Sequence, residues 1–406
     1  MHKRIYAKIS LLSPDMKYFV AAVAMISCGS SMFESVFNNF LNESFAISTF
    51  QRTFLEVPRE LPGLLVAFVS ALFFFLPSRR LGALSALIGF AGLMLLGLAA
   101  RSYAMMLPWL FLFSMGQHLF MPISASVGME LARKGQDGRR LGQINSVRNA
   151  AVVSGSFIVF LGFKYLHLNF VVSFFLAAFC LLLAAFFLLR MAPGVARPAA
   201  THLKFYREYR LYYWLCILFG TRKQIFITFA PWVLVTVFHQ PTAMIASLMT
   251  IGAVTGIVTQ PIIGRMIDRL GERFMLSMEA ALLIVVCAGY GFAGTLFSEQ
   301  TAFIVAGACY VADQLLISVG IARATYLKKI ALDASHIAPT LALAVSIDHV
   351  FSIAIALCGG LIWNLVGYQA VFAFGAIIAL INLLSTRHIN TRHPDVTASG
   401  TATTSG

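Results

Sequence analysis

The sequence predicts an all-α polytopic membrane protein with twelve transmembrane helices, and three observations predict it. Of its 406 residues, 59% are hydrophobic and 11% are charged, where an ordinary soluble domain carries roughly a quarter charged residues. Apolar runs of about 20 residues, each enough to cross a ~30 Å hydrocarbon core, recur along the whole chain. They are continuous rather than alternating, which excludes barrel strands. Finally, the basic residues sort onto alternate loops.

The predicted spans are 18–40, 60–77, 81–100, 104–130, 143–166, 168–190, 211–238, 242–263, 274–294, 301–327, 338–364 and 367–386. Span 1 follows a basic leader and continues past Cys28 to Phe40, so it reads as a retained helix rather than a cleaved signal. Turn and charge punctuation separates the rest: FLPSRRLG, ARSY, RKGQDGRR and LHLN in the first half, then HQPT, GRMIDRLGER, FSEQ, LKKIALDASH and NLVGYQ in the second. Residues 191–210, rich in Pro, Ala and basic residues, read as a cytoplasmic linker between a six-helix bundle at 1–190 and another at 211–388. Residues 389–406 read as a disordered cytoplasmic tail.

The net charge of +14 invites a nucleic-acid reading, and the charge distribution argues against it. With the N-terminus inside, only Arg52, Arg59, Arg101 and Lys164 of the 30 Lys and Arg fall outside. Arg148, Arg222 and Lys223 fall within spans, and the remaining 23 lie on the inner side. Such a bias places both termini in the cytoplasm of a cell membrane. The cysteines at 28, 180, 216, 287, 309 and 358 all sit in apolar runs without a CxxC pair, so they read as small buried hydrophobes. No metal site and no cofactor is expected. A phosphate loop, HExxH and Gly-x-Ser-x-Gly are all missing from the sequence, so no catalytic reading competes.

The two halves echo each other. FLPSRRLGAL begins at Phe75 and GRMIDRLGER at Gly264, 189 residues on, and both keep Arg-Leu-Gly in register. GQHLFMPISASVGMELARK begins at Gly116 and ADQLLISVGIARATYLKKI at Ala312, 196 residues on. This is the pattern of a parallel internal repeat. The twelve-span layout, with Gly264, Asp268, Arg269, Gly271 and Arg273 spaced as Gly-x-x-x-Asp-Arg-x-Gly-x-Arg after span 8, resembles the major facilitator superfamily over nearly the whole chain. The resemblance implies two bundles rocking about a central site, with that loop as a gating motif. It also implies that spans 1, 4, 7 and 10 line the cavity and that 2, 5, 8 and 11 flank it. The first-half copy departs from the motif, with Arg79 where the acid would fall and Phe75 for the first glycine. Span 5 has AAVVSG and lacks the Gly-Pro motif of the family's drug antiporters.

Charges in the bilayer mark a site. One cation at its centre costs about 2.5–3.5 kcal/mol on insertion scales, and Arg222 and Lys223 lie side by side in mid-span 7. Neighbours on a helix point about 100° apart. One is expected to face the cavity and the other to pair with an acid on a neighbouring helix, the sequence leaving open which; the alternative is that both are locked in buried ion pairs that fix the packing. Candidate substrate-binding residues are Arg222, Lys223, Gln117, His118, Arg148 and Gln314. Glu34, Asp313, Asp348 and His349 are candidates for proton coupling or charge pairing, and Asp348 serves equally as a relay with His349 or as a counter-ion. Glu279 is expected to pair at the inner end of span 9.

These residues indicate a multi-pass, proton-coupled transporter, most simply a symporter, of a small organic anion or zwitterion, whose carboxylate an arginine binds bidentately. Its expected partners are that solute, protons and the lipid bilayer, with the chain a monomer. Efflux of amphipathic compounds and a non-transporting membrane sensor are the alternatives.

Overall fold

The computed structural model describes residues 13–73, 75–132, 137–194, 205–333 and 336–390. The charged leader (1–12), the middle of the linker (195–204) and the tail from 391, on which several expectations fall, lie outside these residues. Every regular element described is helical: α1 (Pro14–Phe45), α2 (Thr49–Phe54), α3 (Glu56–Leu72), α4 (Ser78–Ala99), α5 (Tyr103–Glu130), α6 (Asp137–Tyr165), α7 (Phe170–Arg190), α8 (Arg210–Thr236), α9 (Thr242–Leu270), α10 (Glu272–Leu296), α11 (Glu299–Ile317), α12 (Ile321–Ile330), α13 (Ile337–Val366) and α14 (Tyr368–Thr386). A 3₁₀ turn at Ser318–Gly320 joins α11 to α12, which together form predicted span 10. By length and apolarity ten segments qualify as membrane-crossing. The other two expected spans are α3, only 17 residues long, and α8, with Arg222 and Lys223 in its middle.

The ends follow from local chemistry. Ser13 caps α1 by accepting from the Met16 amide, with Pro14 at the first turn, where its missing N–H costs nothing. Ser48 and Gln51 form a reciprocal capping box that starts α2, an element the sequence reading assigned to a loop. Gly271 (φ +82°) ends α9 and begins α10 in one residue, a backbone conformation that a side chain would strain.

The first half builds one core from α1, α4, α5 and α7, where Phe33 lies 4.5 Å from Phe113 and 4.6 Å from Phe37 between ring centroids. The second half has its own core, in which Tyr290 stacks on Phe372 at 4.7 Å. In lipid such packing, rather than exclusion from water, holds helices together, and close backbone approach helps. A Cβ on Gly116 would stand 2.6 Å from the Gly89 amide nitrogen, so α4 and α5 meet backbone to backbone.

Helix ends carrying Arg79, Arg80, Arg190, Arg265, Arg269, Arg273, Lys328 and Lys329 define a basic face. There Arg79 reaches Asp15 at 2.5 Å and Glu130 at 2.8 Å, and Lys329 reaches Glu272 at 2.7 Å. Toward the opposite face the halves touch. The Asn39 side chain donates to the Gln240 carbonyl at 3.0 Å, α3 packs on α13 at Gly63 and His349, and α2 packs on α13 at Thr53 and Gly360. Deeper in, Thr250 donates to Ser156 and Asn149 to Gln260, both at 3.0 Å.

Candidate functional site

Arg222 and Lys223 leave α8 in different directions, as their spacing requires. Arg222 is 2% exposed and turns into the second half. Its guanidinium donates to Asp313 on α11 and, at 2.8 Å, to Glu279 on α10. Arg323 on α12 reaches the other Glu279 oxygen at 3.4 Å, and the Phe219 ring lies under both guanidiniums. The four side chains, at most 5% exposed, sum to zero charge. Ions so deeply desolvated persist only when each is matched by opposite charge and hydrogen bonds. The expected inner-end pairing of Glu279 is correct as far as Arg323 goes, but its shorter bond is to Arg222.

Lys223 goes the other way. Its Nζ lies 2.5 Å from Asp348 on α13, and each side chain is 22% exposed. His349, the residue after Asp348, meets Glu60 of the first half at 2.7 Å. Of the two adjacent cations, Lys223 is therefore the one at the junction between halves. Arg222, named from sequence as a substrate ligand, is closed off by its acids.

Glu60 on α3 meets His349 on α13 at 2.7 Å. The two rings of His118 and His349 are edge to face at 5.0 Å. His118 Nδ1 faces the Ser114 carbonyl at 3.0 Å and its hydroxyl at 3.1 Å. Sequence reasoning named both histidines but missed Glu60, because it started span 2 at that residue; the helix begins four residues earlier, at Glu56.

Glu34, a candidate for proton coupling or charge pairing, binds Arg59 at 2.7 Å rather than either cation of α8, with 33% exposure against 15% for Arg59. Arg59 and Arg52, both assigned to an outer loop, are instead interior. Arg52 is fully buried against Glu56 at 2.7 Å and Asn38 at 2.9 Å. A capped helix turns this "loop" inward, which hydropathy could not signal.

The remaining named residues scatter. Gln117 donates to Ser30 at 2.9 Å within the first half, and Arg148 is exposed with a 3.4 Å contact to Ser124. Gln314 is exposed, beside Gly252 on α9. In the loop motif, Gly264 and Gly271 have open space where a Cβ would stand, and Asp268, Arg269 and Arg273 are exposed. In the first half Arg79 instead ties α4 to α1 and α5. The cysteines are free thiols, Cys28 and Cys287 buried.

Described residues that are helical throughout their regular elements, with ten segments long and apolar enough to cross a membrane and charges paired in the interior, define a multi-pass membrane protein. The sequence profile of the Major Facilitator Superfamily matches residues 19–334, and the chain belongs to that family. No curated protein matches it. Among solved structures it is similar to a point mutant of the nucleoside transporter NupG (10% identity, 93% of this chain and 100% of that chain covered, TM-score 0.76). It is also similar to a POT family transporter in complex with 5-aminolevulinic acid (12%, 92% and 96%, 0.73) and to a D-xylose-proton symporter (14%, 92% and 97%, 0.69). At these identities the likeness is one of fold.

Proposed function

We propose that the chain is a proton-coupled secondary transporter of a small organic anion or zwitterion, working by alternating access and most simply as a symporter. The observation that carries this reading is the Lys223–Asp348 pair: partly exposed, at the junction of the halves, next to a cation that is sealed away. An incoming carboxylate replaces Asp348 on Lys223, and a cationic group on the same solute gives Asp348 a new partner. A zwitterion thus exchanges one ion pair for two without leaving a buried charge bare, which would be costly. Glu34, part-buried and opposed by Arg59, is the coupling carboxylate.

The bundles at 1–190 and 211–388 act as the two moving bodies. By the distribution of basic residues the basic face is cytoplasmic, so the packed α2, α3 and α13 close the outer side. The test is uptake into liposomes under an imposed pH gradient, with amino acids, carboxylates and lipophilic drugs as candidate solutes. Accumulation of a carboxylate-bearing solute that Lys223→Gln abolishes supports the reading. Full activity of Lys223→Gln, or transport of lipophilic cations only, overturns it.

A further inference from the structure

We propose that Glu60, His118 and His349 form a binding site for one divalent transition-metal ion at the junction of the two halves. One donor atom from each of the three lies within 4.8 Å of the others. They come from α3, α5 and α13, so both halves contribute. The sequence reading expected no metal, and no local motif could have revealed this one, since Glu60 and His349 are 289 residues apart.

Three features distinguish this cluster from a chance gathering. Two imidazoles on one tetrahedral ion, with metal–nitrogen bonds of about 2.0–2.1 Å, hold their ring centres on the order of 5 Å apart. The rings of His118 and His349 already stand at 5.0 Å. His118 Nδ1 is engaged by the Ser114 carbonyl at 3.0 Å, which fixes Nδ1 as the protonated nitrogen and leaves Nε2 as a lone-pair donor. Outer contacts of this kind orient metal-binding histidines. Thirdly, Glu60 and His349 remain 17% and 12% exposed, so an ion and its fourth ligand can enter from the space between the halves.

The charges around the cluster tolerate a dication. One carboxylate and two neutral imidazoles neutralise half of its charge. Lys223, the nearest cation on α8, is already held by Asp348, and Arg59, next to Glu60 on α3, is held by Glu34. As the ion takes Nδ1 of His349, the hydrogen shared with Glu60 shifts to Nε2 if the ring is neutral, or leaves to water if it is an imidazolium; either way the ligand is a neutral imidazole, and small side-chain movements adjust the ligand spacing. Two nitrogens and one oxygen suit Zn²⁺, Co²⁺, Ni²⁺ or Fe²⁺ rather than Ca²⁺ or Mg²⁺. The fourth position takes water or a donor atom of a solute.

The experiment uses the purified full chain in detergent, stripped with a chelator and titrated with Zn²⁺ by calorimetry and with Co²⁺ by absorption. One ion per chain is expected, with the intense visible bands of four-coordinate Co²⁺. Glu60→Gln and His118→Ala should each weaken binding by more than the roughly 10–100-fold that loss of an outer partner costs. His167→Ala, at an exposed histidine, should bind as the wild type does. His118→Cys should keep Co²⁺ and add a thiolate-to-cobalt charge-transfer band. Absence of stoichiometric binding by the wild type, or wild-type affinity in both ligand variants, overturns the proposal. If a variant fails to fold, X-ray absorption of the metal-loaded wild type decides, and fewer than two imidazoles on the ion would refute the site.

Discussion

Arg222 and Lys223 share a peptide bond but not an environment: the first is 2% exposed and held by two acids, the second 22% exposed and held by one. Removing each charge should therefore do different damage. Arg222→Gln strands Asp313 beside Glu279, and breaking a buried pair in this way costs about 3–5 kcal/mol. Its melting temperature in detergent should fall steeply. Lys223→Gln should melt near the wild type yet lose uptake. Equal thermal damage in both would show that the exposure difference has no energetic meaning.

The Arg222 loss should be repairable. Arg222→Met combined with Asp313→Leu removes one positive and one negative charge and leaves Glu279 with Arg323. Replacing a buried ion pair by apolar groups is often neutral or better. The double variant should recover most of the stability lost by Arg222→Gln, and a non-additive double-mutant cycle is the measurement.

Two glycines set how closely the halves meet. A Cβ on Gly63 would stand 2.4 Å from the His349 ring, and one on Gly360 would stand 2.2 Å from Thr53 Oγ1. Gly63→Val and Gly360→Val should hold α13 off α3 and α2. Spin labels at exposed Phe50 and Leu365 should then report a longer distance than in the wild type. Unchanged distances would mean that the contact relaxes locally.

If Glu34 couples transport to protons, Glu34→Gln should still exchange solute across the membrane but no longer accumulate it against a gradient. Counterflow and pH-driven uptake, measured on the same liposomes, separate these. Loss of both activities would instead assign Glu34 a purely structural place beside Arg59.

The helices were legible because each membrane crossing writes a long apolar run, and their polar residues stand out against it. The divergence of Arg222 from Lys223 was legible too, since it needs only the pitch of a helix. Partner choice was not. It depends on how each helix is rotated about its axis, so Glu34 went to Arg59 and Glu279 came to Arg222. Depth judged by counting from an assumed start failed where helices begin earlier: α3 takes in Glu56, Arg59 and Glu60, and Arg52 is buried one turn before it. Those charges looked like loop residues because nothing local distinguishes a loop in water from one folded back on its neighbours.

The quartet of Arg222, Arg323, Asp313 and Glu279 has an electrical consequence. A single charge moved through 100 mV exchanges about 2.3 kcal/mol with the membrane potential. Because the four sum to zero and are held together by short contacts, the second half can carry them through the field with almost no work. In the proposed cycle this quartet then adds almost nothing to any current, which is left to the solute, the coupling proton and the other interior charges.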